Sequence, residues 1–120
     1  MARVLALVPD LLFASNVQGA LTAAGHEVEL ASGTEGLGGR LAGRDVLVVD
    51  LTTDVVDGVG LVEDLRGDGS LAGARTLGVY AHVDVDTKRR ADAAGFDLVV
   101  PRSRMAREGA ALVTRLAAEG

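Results

Sequence analysis

Five short apolar runs, separated by segments of helical periodicity, constrain this 120-residue chain more than any other feature. They cover residues 4–8, 28–31, 46–49, 76–81 and 98–100. The first and third are almost unbroken in Val, Leu and Ala. A strand with one wet face alternates apolar and polar residues, whereas an unbroken run needs cover on both faces, as inside a parallel sheet. Between the first two runs Phe13, Val17, Ala20, Leu21 and Ala24 recur at three- and four-residue steps, and Gly25 is placed to end that helix. In the last segment Met105, Leu112, Val113 and Leu116 share one face, with Ser103 as the expected N-cap. Weaker helical patterns cover residues 34–41, 59–66 and 84–94. The first of these holds Gly36, Gly38 and Gly39, so a short or frayed helix is expected there.

Strand and helix thus alternate five times, which predicts one α/β domain over residues 1–120. The expected form is a doubly wound five-stranded parallel sheet with right-handed crossovers, order 2-1-3-4-5. In such a sheet ligands sit beyond the carboxyl ends of the first and third strands, where the winding direction reverses.

Composition narrows the function classes. A hydrophobic fraction of 48% supplies a core and argues against disorder. Aromatics make up only 2%, too few to build stacking platforms for single-stranded nucleic acid. The chain has no Cys, which removes disulfides, thiolate nucleophiles and cysteine zinc sites, and its two His, His26 and His82, make a multi-histidine metal site unexpected. A net charge of −5 opposes binding to DNA or anionic membranes. The N-terminal apolar run is broken by Pro9 and is too short for a membrane span or a signal peptide, so a cytoplasmic protein is expected.

The crevice rule directs attention to the residues that follow runs one and three. The third run ends in Asp50, within Asp45-Val-Leu-Val-Val-Asp50-Leu-Thr-Thr-Asp54-Val-Val-Asp57-Gly58. A carboxylate ending a buried strand is costly unless it faces the crevice or accepts hydrogen bonds there. In the crevice it can bind a cation, act as a base or take a phosphoryl group. After the first run comes Asp10, which suits a helix N-cap better than a metal ligand because the cap needs no unusual turn.

With these residues in place the chain resembles the receiver domains of bacterial response regulators, which are flavodoxin-like, along nearly its whole length. The third run followed by Asp50-Leu51, with a loop closing in Asp57-Gly58, is similar to the family's phosphoacceptor segment. Gly25-His26-Glu27-Val28 resembles the entry into strand two, and Ala93-Ala94-Gly95-Phe96-Asp97 the turn into strand five. The resemblance implies Asp50 as phosphoacceptor, a pocket of Asp10, Tyr80, Ala81 and Arg102, and Asp10 with Asp50 as the remaining Mg²⁺ ligands. It also implies two-component signalling with a sensor kinase or downstream effector as partner, and a non-enzymatic role.

The departures point to a degenerate receiver. The family's acid pair after strand one aligns with Val8 and Pro9, its small hydroxyl residue with Tyr80, its lysine with Arg102 and the following proline with Ser103. Mg²⁺ prefers hard carboxylate ligands, so weak binding is expected, and Arg102 is expected to reach Asp50 and take the cation's place. Lys88, Arg89, Arg90, Asp92, Asp97, Arg104 and Arg107 predict a mixed-charge face on helix 4, strand 5 and helix 5, where receivers dock partners or pair into homodimers. No output domain follows within these residues. The alternative is a small-ligand-binding flavodoxin-like domain, but residues 8–12, Val-Pro-Asp-Leu-Leu, offer no phosphate cradle.

Overall fold

A computed structural model describes residues 1–119. The strands are β1 (Arg3–Leu7), β2 (Glu27–Ala31), β3 (Val46–Asp50), β4 (Arg75–Tyr80) and β5 (Leu98–Pro101). The helices are α1 (Leu11–Ala23), α2 (Leu37–Arg40), α3 (Gly58–Gly67), α4 (Val85–Ala93) and α5 (Arg102–Glu119). The sheet is parallel throughout, in the order β2-β1-β3-β4-β5, as the alternation required. Strand residues split by parity between two cores. Val4, Ala6, Val46, Val48, Leu77 and Val79 pack with Phe13, Val17 and Leu21 of α1 and Met105, Leu112 and Leu116 of α5. Leu5, Leu7, Leu47 and Val49 pack against Leu37 of α2, Val59, Val62 and Leu65 of α3 and Ala91 of α4. Both faces of β1 and β3 are therefore covered, which is why their sequences read as unbroken apolar runs. Each of these fully buried Val or Leu side chains contributes about 1.5–3 kcal/mol.

The helix ends follow local chemistry. Gly25, at φ 91°, lets the chain turn back after α1, with its N–H on the Thr22 carbonyl and that of His26 on Leu21. Asp57 caps α3 through Gly60 N–H at 3.1 Å, and Asp84 caps α4 through Thr87 N–H at 3.1 Å. Gly58 is fixed by space: a Cβ there would lie 2.6 Å from both Leu51 Cδ2 and Val49 Cγ1. The Gly-rich segment after β2 yields only the single turn of α2.

Two local expectations fail. Ser103 does not cap α5, because the helix begins at Arg102, directly after Pro101 of β5, and Ser103 lies inside its first turn. With no linker between strand and helix, no position is left for a capping residue at 103. Ala81 lies outside β4, accepting the Asp84 N–H at 2.8 Å in the turn that leads to α4.

Candidate functional site

The carboxyl edge of the sheet collects the ends of β1, β3, β4 and β5 and the loops that follow them. Asp50 is the last residue of β3 and only 1% exposed. Its Oδ1 accepts from Thr52 N–H at 2.9 Å and from Thr52 Oγ1 at 2.6 Å, which turns the carboxylate toward the loop after β3. Its Oδ2 has no hydrogen-bond partner among the described residues. A buried carboxylate oxygen left in that state costs free energy, on the order of 1–3 kcal/mol, unless something else meets it.

Asp10 performs the capping role its position suggested. Oδ1 accepts from the N–H groups of Leu12 at 3.0 Å and Phe13 at 3.1 Å, while Oδ2 accepts from Arg102 Nη2 at 3.0 Å. The Phe13 N–H, together with the Arg102 guanidinium, holds the Asp10 carboxyl below its ordinary pKa. The Arg102 guanidinium carbon also lies 4.0 Å from the centroid of the Phe13 ring, a cation–π contact. The expected Arg102–Asp50 pair is thus replaced by an Arg102–Asp10 pair. The start of α5 sits beside the start of α1, and Asp10 and Phe13 together offer the guanidinium a carboxylate and a ring face.

Tyr80 also departs from the expected pocket. Asp50 pairs in register with Val79, and partners in a parallel ladder point to the same face, so Tyr80 points to the other. It is buried there with Ala91, Phe96 and Val99. Val8, at one position of the missing acid pair, is 3% exposed and joins the α1–α5 core. The structure thus brings Asp10 and Arg102 into contact, places Asp50 at the same edge, and sends Tyr80 to the opposite side.

Thr52 is the residue that sequence reading missed. Its only signal was its place two residues after the aspartate, the spacing at which a side-chain carboxylate accepts from the backbone of its own turn. A polar depression of about 300 Å³ opens beside it, lined by Thr52, Thr53, Asp57, Asp84, Thr87 and Arg90 among others. Arg90 Nη2 stands 3.9 Å from Asp57 across this depression.

The geometry as a whole closely matches known structures. A receiver domain of a Francisella response regulator superposes with a TM-score of 0.85 at 18% identity, covering 99% of this chain and 98% of that one. The fold is that of a receiver domain. A Vibrio cholerae chemotaxis protein shows the same receiver fold at TM-score 0.82 and 21% identity, over 97% of this chain and 98% of its own. A Burkholderia pseudomallei response regulator, solved with a phosphorylated aspartic acid, a calcium ion and citrate, matches at TM-score 0.79 and 19% identity, over 99% of this chain and 70% of that one. No protein-family model matches the sequence, and no curated protein matches it.

Receiver domains commonly bind Mg²⁺ at this edge, so the donor set matters. Val8 and Pro9 offer no side-chain oxygen, both Asp10 oxygens are engaged, and Asp50 has one oxygen free of partners. Among the described residues no three His, Cys, Asp or Glu side chains are grouped to hold a metal ion. These side chains offer a divalent cation one carboxylate oxygen free of partners, that of Asp50, so the rest of its shell would have to come from backbone carbonyls and water. No helix among the described residues is long and apolar enough to cross a membrane.

Proposed function

We propose that residues 1–120 form one receiver-type signalling domain that acts in the cytoplasm through protein–protein contacts rather than as an enzyme. Asp50 holds the phosphoacceptor position, but the acid cluster around it is degenerate. The observation that carries this reading is the engagement of Asp10. Its carboxylate is shared between two backbone N–H groups of α1 and the Arg102 guanidinium, so a cation beside Asp50 has to compete with them for it. Transfer of a phosphoryl group to a carboxylate develops charge that a cation normally offsets. Without that help, Asp50 accepts a phosphoryl group slowly and binds Mg²⁺ weakly.

The face formed by α4, β5 and α5 is the proposed docking surface for a sensor kinase or effector. Its charges are tied into local pairs, Lys88–Asp92 at 2.7 Å, Arg89–Asp86 at 3.4 Å and Arg104–Glu108 at 3.4 Å, an arrangement that suits register-setting contacts at a polar interface. Asp97, counted on that face from the sequence, turns instead to Thr76 and Arg75 at the opposite edge of the sheet.

The test is incubation with acetyl phosphate and Mg²⁺, read by intact mass, with Asp50→Asn as control. Little or no labelling of a folded protein is expected. Rapid, stoichiometric labelling that disappears in the Asn variant would show a working phosphoacceptor and overturn the degenerate reading.

A further inference from the structure

We propose that His26 is a proton-sensitive latch that ties α5 to the amino edge of the sheet. The ring is 7% exposed and stands between Ala2, just ahead of β1, and Ala110 and Thr114 of α5. Nδ1 accepts the Ala2 N–H at 3.0 Å. A backbone amide nitrogen can only donate, so Nδ1 carries no proton and the ring N–H lies on Nε2. That N–H donates to Thr114 Oγ1 at 3.0 Å, with the Ala110 carbonyl 3.4 Å away. Thr114 gives its own hydroxyl proton to the Ala110 carbonyl at 2.9 Å, which leaves its oxygen to accept from the ring. The backbone at this residue is fixed as well, because the His26 N–H bonds the Leu21 carbonyl of α1 at 3.0 Å. Both ring nitrogens are therefore in use, each in one direction only.

A proton added at Nδ1 sets one N–H against another. The bond to Ala2 is lost, and the charged ring cannot stay buried beside that amide without a new acceptor. The charged neighbours do not supply one. From the β1 side come the Met1 amino group and Arg3, and from β2 comes Glu27, which Arg3 approaches at 3.8 Å. Residues 11–25, which include α1, carry no Asp, Glu, Lys or Arg. On α5 Arg107 lies one turn before Ala110 and pairs with Glu108 at 3.9 Å, and Arg115 follows Thr114. Both carboxylates in this set are held by arginines, and its cations outnumber them.

Charging the ring therefore opens the latch, freeing Ala2 from the ring and the ring from Thr114. An unfolded chain takes up a proton at histidine below about pH 6.5, whereas the folded chain takes one up here only by giving up these bonds. The contribution of the latch is thus complete above that pH and falls away as the solution is acidified. The other histidine, His82, is exposed and has no such role. Since α5 belongs to the proposed docking face, acid loosens one element of that face from the sheet. The latch works whether or not Asp50 is ever phosphorylated.

The experiment joins urea unfolding to ring NMR on the full chain. Between about pH 7.5 and about pH 5.5 the unfolding equilibrium constant, extrapolated to water, should rise by up to roughly tenfold. His26→Asn offers the Ala2 N–H an acceptor that does not titrate in this range and should show little of that rise. His82→Gln should keep it. In the unaltered protein the ring ¹⁵N shifts at neutral pH should report the Nε2–H tautomer, with a coupling across the hydrogen bond from Ala2 N to His26 Nδ1. That coupling should be present while the ring is neutral and absent once it is charged, and the Ala2 and Thr114 signals should move together with the ring. An Nδ1–H tautomer at neutral pH overturns the proposal, and so does a coupling that survives in the charged ring. So does a rise as large in His26→Asn as in the parent, or one abolished by His82→Gln. The ring measurements need no variant, so they decide the matter even if His26→Asn does not fold.

Discussion

The two edges of the sheet treat their carboxylates differently. At the amino edge Asp97 Oδ2 accepts from Thr76 N–H at 2.7 Å and Thr76 Oγ1 at 3.1 Å, while Oδ1 lies 3.6 Å from Arg75 Nη1. Asp45 Oδ2 takes the Arg3 N–H at 2.8 Å, locking the starts of β1 and β3 together. His26 accepts the Ala2 N–H at Nδ1, so its ring N–H lies on Nε2 and reaches Thr114 Oγ1 at 3.0 Å. The orphan at this edge is Arg75 Nε, but the same guanidinium donates through Nη2 to the Glu119 carbonyl at 2.8 Å. At the carboxyl edge Asp50 is more deeply buried than Asp97, and one of its oxygens has no partner. Carboxylates at the amino edge hold strands together, while Asp50 keeps a buried oxygen that no described group meets.

If that contrast is sound, the largest effect of removing a carboxylate should fall at the amino edge. Asp97→Ala strands the N–H of Thr76, whose residue is fully buried, and should lower stability by about 1–3 kcal/mol, read as a urea midpoint shift at unchanged slope. Asp50→Asn should move the midpoint the other way, by on the order of 1 kcal/mol, because a buried charged oxygen without a partner is replaced by a neutral amide. Similar losses at both positions would erase the distinction between the edges.

The smallest effect is expected at Asp10. Its folded-state pKa lies below the ordinary 3.8, so it contributes stability that is present above that value and fades as pH falls through the lower, folded one. Asp10→Asn keeps a good N-cap but loses the charge paired with Arg102. The Tm near neutrality should therefore fall slightly, and the acid limb below about pH 4 should flatten, because the variant has no carboxylate there to protonate. A change near pH 7 with the acid limb unaltered would mean that Asp10 acts mainly through something other than its pairing with the Phe13 N–H and Arg102.

Much of the carboxyl edge was legible because strand ends and caps are local properties. Asp50 follows four apolar residues, so its place at the end of β3 can be counted along the chain. Asp10, three residues before Phe13, reads directly as a cap. Thr52 escaped notice because threonine in a loop is common, and its role appears only once the turn brings its N–H and hydroxyl onto Asp50. Tyr80 was assigned to the pocket by alignment, but its side is set by ladder parity with β3, which depends on register across the sheet.

The sequence by itself determined the five β-α alternations, the strands covered on both faces, the β2-β1-β3-β4-β5 order expected of them and the position of Asp50. Those follow from periodicity and chain connectivity, which act over a few residues or through a general rule of winding. Tertiary structure decided what each charged group meets. Arg102 is 92 residues from Asp10, and its choice of Asp10 and Phe13 over Asp50 follows from how closely α1 and α5 start beside one another. Coulomb and cation–π attractions fall off with distance in space, and spacing along the chain does not record that distance.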